Sequence, residues 1–223
     1  MEPIPVRKYE GARGPIVVLH GGPGAPGSIA GLALGLAGDF EVWEPFQRGS
    51  GEVDLTVDRH VADLHEVAPK PATIVGHSWG AMLGLSYAAR YPEEVRALVL
   101  VGCGTYNEAS RAEYLRRRDA SDPQAQRVPD DATGHEETWQ DALRRQATGL
   151  EPRSFAAIRA PVLMLHGEDD PHPGAMIRDS LVPHIPQLEY VGIPRCGHEP
   201  WSDQHGRGPF FTALRSWLAT RVD

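Results

Sequence analysis

Short apolar runs, spaced by amphipathic stretches, set the rhythm of this chain. Residues 15–20 (PIVVLH), 72–77 (ATIVGH), 95–102 and 161–166 are almost unbroken apolar runs of strand length. Such runs suit strands that are covered on both faces. Residues 40–43 and 188–193 read as further strands. Between them, Thr56 can cap a helix running to Val67, with Val61, Leu64 and Val67 on one face. Ser28 can cap another helix to about Leu36, a small-residue helix over 81–90 stops near Pro92, and two more fall near 175–181 and 208–220. Strands alternating with helices predict an α/β fold, a mostly parallel sheet with helices on both faces. The sequence carries no internal repeat and no long low-complexity segment.

The rhythm breaks once. Residues 104–158 are polar, with helix-like stretches near 108–118 and 136–146. The expectation is a core of residues 1–103 and 159–223 with a small helical lid inserted at 104–158, because loops at the C-terminal edge of such a sheet cover its ligand crevice. A surface excursion without a role is the alternative. Arg116, Arg117 and Arg118 within it read as a solvated helix face.

Composition narrows the function classes. The 223 residues are 41% hydrophobic and 23% charged, enough for a core that needs no disulfide or metal staple. A net charge of −8 argues against nucleic acid and anionic membrane surfaces as partners. No apolar run is long enough to span a bilayer, and residues 1–5 lack the basic and apolar regions of a signal peptide. Cys103 and Cys196 form neither a disulfide framework nor a metal-type CxxC pair. The expectation is a cytoplasmic, reduced protein without metal or organic cofactor.

The candidate chemistry begins at Gly76-His77-Ser78-Trp79-Gly80, a G-x-S-x-G run between a buried strand and a small-residue helix. That turn is sharp and strained and lifts the serine hydroxyl clear of the sheet. A serine hydroxyl needs a base. His198 follows the last expected strand on a glycine-containing loop, whereas His60, His65, His135, His184 and His205 read as ordinary surface residues. An orienting carboxylate belongs after the preceding strand, where Glu168, Asp169 and Asp170 all stand. The run His20-Gly21-Gly22-Pro23-Gly24 follows the first buried strand and fits neither G-x-G-x-x-G nor a P-loop. In this architecture a backbone N–H from that loop joins the N–H after the nucleophile, here Trp79, to bind an oxyanion. Gly22 precedes a proline, so a cis bond is allowed there.

Together these runs resemble the α/β-hydrolase superfamily, and within it the proline iminopeptidase-like branch. His20 to Gly24 matches the H-G-G-P-G run of that branch, Gln47-Arg48-Gly49-Ser50-Gly51 is similar to its D-Q-R-G-x-G loop, and Gly197-His198 matches its G-H. Gly167 to Asp170 matches G-x-x-D, so the resemblance selects Asp170 as the acid of a Ser78–His198–Asp170 triad, with Gly22 and Trp79 as oxyanion hole. The chain departs from the branch at Phe46, where an aspartate is usual. It also leaves room for only one strand ahead of the first core strand, which predicts about seven strands. Its insertion is about half the size of the iminopeptidase cap.

The resemblance implies a serine hydrolase acting on a small ester, amide or short peptide through an acyl-enzyme on Ser78. N-terminal-proline aminopeptidase activity is the branch-specific form, with Glu136, Glu137 and Glu151 as candidates for the substrate amine. Carboxylesterase or lactonase activity is the alternative, and perhydrolase chemistry a remote one. Dehalogenase and epoxide hydrolase chemistry are disfavoured, because those relatives carry an aspartate where Ser78 stands. From another class, the same fold and pocket could serve a ligand receptor with little turnover.

Overall fold

The computed structural model describes residues 2–51, 53–121 and 130–222. Strands β1 (Val6–Tyr9), β2 (Gly11–Leu19), β3 (Gly38–Pro45), β4 (Ala72–His77), β5 (Val95–Val101), β6 (Val162–Gly167) and β7 (Leu188–Ile193) form one seven-stranded sheet in the order β1-β3-β2-β4-β5-β6-β7. Only β1 is antiparallel to its neighbour, β3, and the other pairs are parallel. The expected mostly parallel sheet with a single N-terminal strand ahead of the core is therefore the observed one.

Alternation along the strands explains why both faces are covered. Val17, Leu19, Ile74, Leu98, Leu100, Val162 and Met164 pack in one cluster with helices α2 (Val57–Val67) and α3 (Trp79–Arg90). Their neighbours Ile16, Val18, Val75, Val99, Val101, Leu163 and Leu165 pack in the other, against α1 (Ala30–Leu36) and Phe210, Leu214 and Trp217 of α7 (Arg207–Leu218). Helix α6 (Gly174–Leu181) adds Ile177 and Leu181 to the first cluster. Thr56 caps α2 as expected, accepting from the Arg59 N–H at 3.1 Å. Ser28 does not cap α1: Ile29 holds the cap position without a side-chain bond.

The polar stretch between β5 and β6 holds α4 (Glu108–Ser121), α5 (Ala132–Ala147) and a short 3₁₀ turn (Arg153–Ala157). Acidic residues of α5 lie at the start of α2, where helical N–H groups have no partner of their own. Asp141 accepts from the Val57 N–H at 2.9 Å and Glu137 from the Leu55 N–H at 3.2 Å. His60 meets Thr138 of α5 at 3.0 Å and is 2% exposed, so it is a core residue and not the surface histidine expected above. The end of α5 is fastened by a buried ion pair. Arg145 donates to Glu151 at 2.8 Å, and Ser86 of α3 donates to the same carboxylate oxygen at 3.0 Å.

Two predictions follow from this packing. Arg145→Met leaves the Glu151 carboxylate, 2% exposed, without its cation. It should cost about 3–5 kcal/mol in denaturant unfolding, with much of that regained in Arg145→Met/Glu151→Gln. The second concerns acid. Burial lowers the pKa of His20 and His60 to about 4 each, and burial first of all also lowers His77 and His166. These imidazoles take up protons on unfolding once the pH falls below about 6.5. Their depressed values therefore cost stability progressively as pH drops from about 6.5 toward 4. The melting temperature should fall steadily from pH 7 to pH 5, and a flat profile would contradict this account.

Candidate active site

The loops leaving β2, β4, β6 and β7 meet at the C-terminal edge of the sheet, where β2 and β4 lie side by side although β3 separates them in sequence. Strand order reverses there, which leaves a crevice. Ser78 occupies the sharp turn from β4 into α3 with φ 52° and ψ −115°. This left-handed conformation is strained for a residue with a side chain. Two glycines permit it. A Cβ on Gly76 would collide with the Gly80 carbonyl, and one on Gly80 with the Leu19 carbonyl of β2. The Ser78 N–H bonds across the sheet to Val101 O at 2.8 Å, tying the turn to β5.

Opposite stands His198, whose Nδ1 lies 2.7 Å from Asp170 Oδ2. Of the three carboxylates after β6, Glu168 and Asp169 are exposed to solvent and Asp170 is buried. Burial works to raise the pKa of Asp170. The charge of His198 and hydrogen bonds from His172 and His198 outweigh it and hold the carboxyl well below its ordinary value. A carboxylate only accepts, so His198 carries its hydrogen on Nδ1 and leaves Nε2 as the basic nitrogen. The backbone is fixed as well, because His77 Nε2 donates to His198 O at 3.0 Å.

The loop after β2 closes the third side. A Cβ on Gly21 would stand 3.0 Å from the Ser78 Cβ, so the glycine lets backbone approach the serine directly. Gly22 adopts φ 59°, and its bond to Pro23 is trans; among the described residues the cis prolyl bonds are at Pro15, Pro71 and Pro152. Gln47 braces this loop against the serine turn. Its amide donates to His20 O at 3.1 Å, its backbone N–H donates to His20 Nε2 at 3.2 Å, and it accepts from the Trp79 indole at 2.7 Å. Helix α5 holds the same loop from outside. Its cap residue Asp131 donates its N–H to Gly24 O, and His135 Nδ1 lies 3.2 Å from Pro23 O.

Gly22, Ser78, His198, His135, Asp130 and Glu199 are among the residues lining a cleft of about 550 Å³. His135, expected at the surface, thus faces the cleft. Glu136, Glu137 and Glu151 do not line it: Glu136 is exposed and bonded to Gln140, Glu137 holds α2, and Glu151 is buried against Arg145. Among the described residues, Asp170, His172 and His198 are the one set of three whose ligating atoms lie together, within 4.8 Å. Direct hydrogen bonds of 2.7 and 2.9 Å already join the carboxylate to both rings, so a metal ion could enter only by displacing them. His172 is the site residue that the sequence did not reveal.

Comparison with known proteins agrees with this fold. Residues 16–208 match the model of the alpha/beta hydrolase family. A cis-3-alkyl-4-alkyloxetan-2-one decarboxylase of Shewanella oneidensis is 30% identical over 111 residues, 44% of this chain and 35% of the relative. A proline iminopeptidase of Neisseria gonorrhoeae is 35% identical over 99 residues, 40% of this chain and 32% of the relative. These two matches therefore span only about a third of each relative's length. A thermophilic esterase from Thermogutta terrifontis shares the fold, with a TM-score of 0.71 at 19% identity over 97% of this chain and 93% of that one. No helix among the described residues is long and apolar enough to cross a membrane. With its seven-stranded sheet and a family match that runs through the serine turn to the last helix, the chain belongs to the alpha/beta hydrolase family.

Proposed function

We propose that the protein is a serine hydrolase of small carboxylic esters or amides, working through an acyl-enzyme on Ser78. The observation that carries this reading is the strained Ser78 turn, which shares a cleft with a histidine whose Nδ1 is held by a buried carboxylate. Ser78 Oγ attacks the substrate carbonyl as His198 Nε2 takes its proton, and Asp170 stabilises the imidazolium that forms. The N–H groups of Gly22 and Trp79 receive the oxyanion. Trp79 is the first residue of α3, where the N–H has no intrahelical acceptor and the helix dipole favours negative charge. His198 returns the proton to the leaving alcohol or amine, which departs. Water, deprotonated by the same nitrogen, then splits the acyl-enzyme and releases the acid.

The acyl-enzyme scheme needs no cofactor, and none of its steps calls for a metal. The protein's partners on this reading are small molecules, with neither nucleic acid nor membrane involved, in keeping with the acidic net charge. The insertion over 104–158 acts as a small lid beside the cleft, which His135 enters from α5. The second reading, an N-terminal-proline aminopeptidase, draws support from the Neisseria relative's name. It requires a carboxylate for the substrate ammonium. Since the lid glutamates lie outside the cleft, that task would fall to Asp130 or Glu199, and the ester reading is the better supported.

A short-chain aryl ester and a prolyl arylamide, assayed side by side, separate these readings. Ester turnover that falls at least about a thousandfold in kcat/KM for Ser78→Ala is the expected result. Prolyl arylamide turnover abolished by N-acetylation of the substrate would favour the aminopeptidase. Burst labelling of Ser78 without further turnover would instead indicate a receptor. Gln47→Leu should lower kcat about 10- to 100-fold with a smaller change in KM, because it releases both the loop that carries Gly22 and the Trp79 indole beside Ser78.

A further inference from the structure

Asp170 holds two imidazoles, and the reaction above uses only one. On its Oδ2 side stands His198 at 2.7 Å. Its Oδ1 accepts from His172 twice, from the ring Nδ1 at 2.9 Å and from the backbone N–H at 2.8 Å. The two rings are stacked, 4.6 Å between centroids and 22° between planes. Tyr114 of α4 stacks on His172 as well, at 4.2 Å and 21°. The His172 carbonyl accepts from His166 Nε2 at 2.9 Å, which fixes the backbone that presents the ring. Ring contacts with Tyr114 and His198, two bonds to one oxygen and a tethered backbone leave His172 little freedom to turn away.

We propose that His172 is a positioning residue of the site, which shares Asp170 with His198 and thereby sets how strongly the carboxylate holds the proton of the base. The inference rests on the serine hydrolase reading of Ser78 and His198. Its chemistry is simple. A carboxylate whose second oxygen takes two further donors has less charge to offer the imidazolium on its first oxygen. A proton on His172 would add repulsion between two stacked cations. Both effects weaken proton binding at His198, so the base stays neutral and competent at lower pH. The groups facing His172 are Asp170 and His166 from β6 and its loop, His198 from the loop after β7, and Tyr114 of α4 with Arg118 beside it. His77, at the end of β4, faces His198, and Tyr190 of β7 acts on Asp170 from a distance.

The test compares wild type with His172→Leu and His172→Asn, following kcat/KM against pH together with ¹⁵N NMR titration of the histidine rings. In His172→Leu the acidic limb of the profile and the His198 titration should both move upward by roughly half to one pH unit. In His172→Asn, whose carboxamide N–H can replace the ring donor, both should return most of the way toward wild type. An unmoved His198 titration in His172→Leu, or equal shifts in the two variants, would overturn the proposal. If the leucine variant does not fold, wild type alone decides. His172 must carry its hydrogen on Nδ1, and an Nε2–H tautomer sinks the idea. Retention of full turnover by Ser78→Ala would remove the hydrolase reading, while the NMR titration would still judge His172 on its own terms.

Discussion

Ser78 cannot reach its position unless two neighbouring segments of backbone pass where side chains would normally stand. Gly80 lies against the end of β2 and Gly76 against the first turn of α3. A positive φ at a residue with a side chain costs on the order of 1–3 kcal/mol. That cost is met by embedding the turn between β4, all six residues of which are buried, and α3, buried along most of its length. The close approach brings the loops after β2 and β4 together. The placing of the hydroxyl, the nearness of the Gly22 and Trp79 backbone and the cleft are then consequences of one tight junction and not separate constructions.

The junction is braced by polar links of well-defined direction. His20 accepts from the Gln47 N–H through Nε2, so its own hydrogen sits on Nδ1, directed at Gly21 O 3.2 Å away. Burial keeps this ring neutral, with a pKa near 4, and the tautomer is therefore stable across the range in which a hydrolase works. Gln47 in turn holds the Trp79 indole. Phe46 precedes Gln47, which makes all three links. The neighbouring Arg48 pairs bidentately with Asp63 on α2, which anchors the other end of the same loop.

How much of this was legible in the sequence depended on whether a residue's role was local. Ser78 could be found because its strained turn needs glycines at fixed offsets, and the same holds for the glycine run after β2. Asp170 could not be separated from Glu168 and Asp169 by position alone; the structure distinguishes it by burial, a tertiary property. His60 was legible and misread. With Val57, Val61 and Leu64 it completes an i, i+3, i+4, i+7 face, and that spacing marked it as a core residue. His172 left no comparable signal. Its place beside Asp170 is short-range, but its stacking partners come from α4 and from the loop after β7. Spacing along one element cannot reveal a ring held between two others.

The bonds from α5 to α2 also bear on how the chain assembles during synthesis. The Val57 N–H finds its acceptor in Asp141, 84 residues later, and the Leu55 N–H finds Glu137, 82 residues later. When α2 leaves the ribosome, the Thr56 hydroxyl is the local side-chain acceptor for its first turn. The loop after β2 waits longer still for Asp131 and His135. The first half of the sheet therefore emerges with only the Gln47 links bracing its loop after β2, and the insertion adds its own bonds later. Long sequence separations of this kind slow folding through loop-closure entropy. In this molecule the delay falls on the loop that lines the cleft and on the helix start beside it.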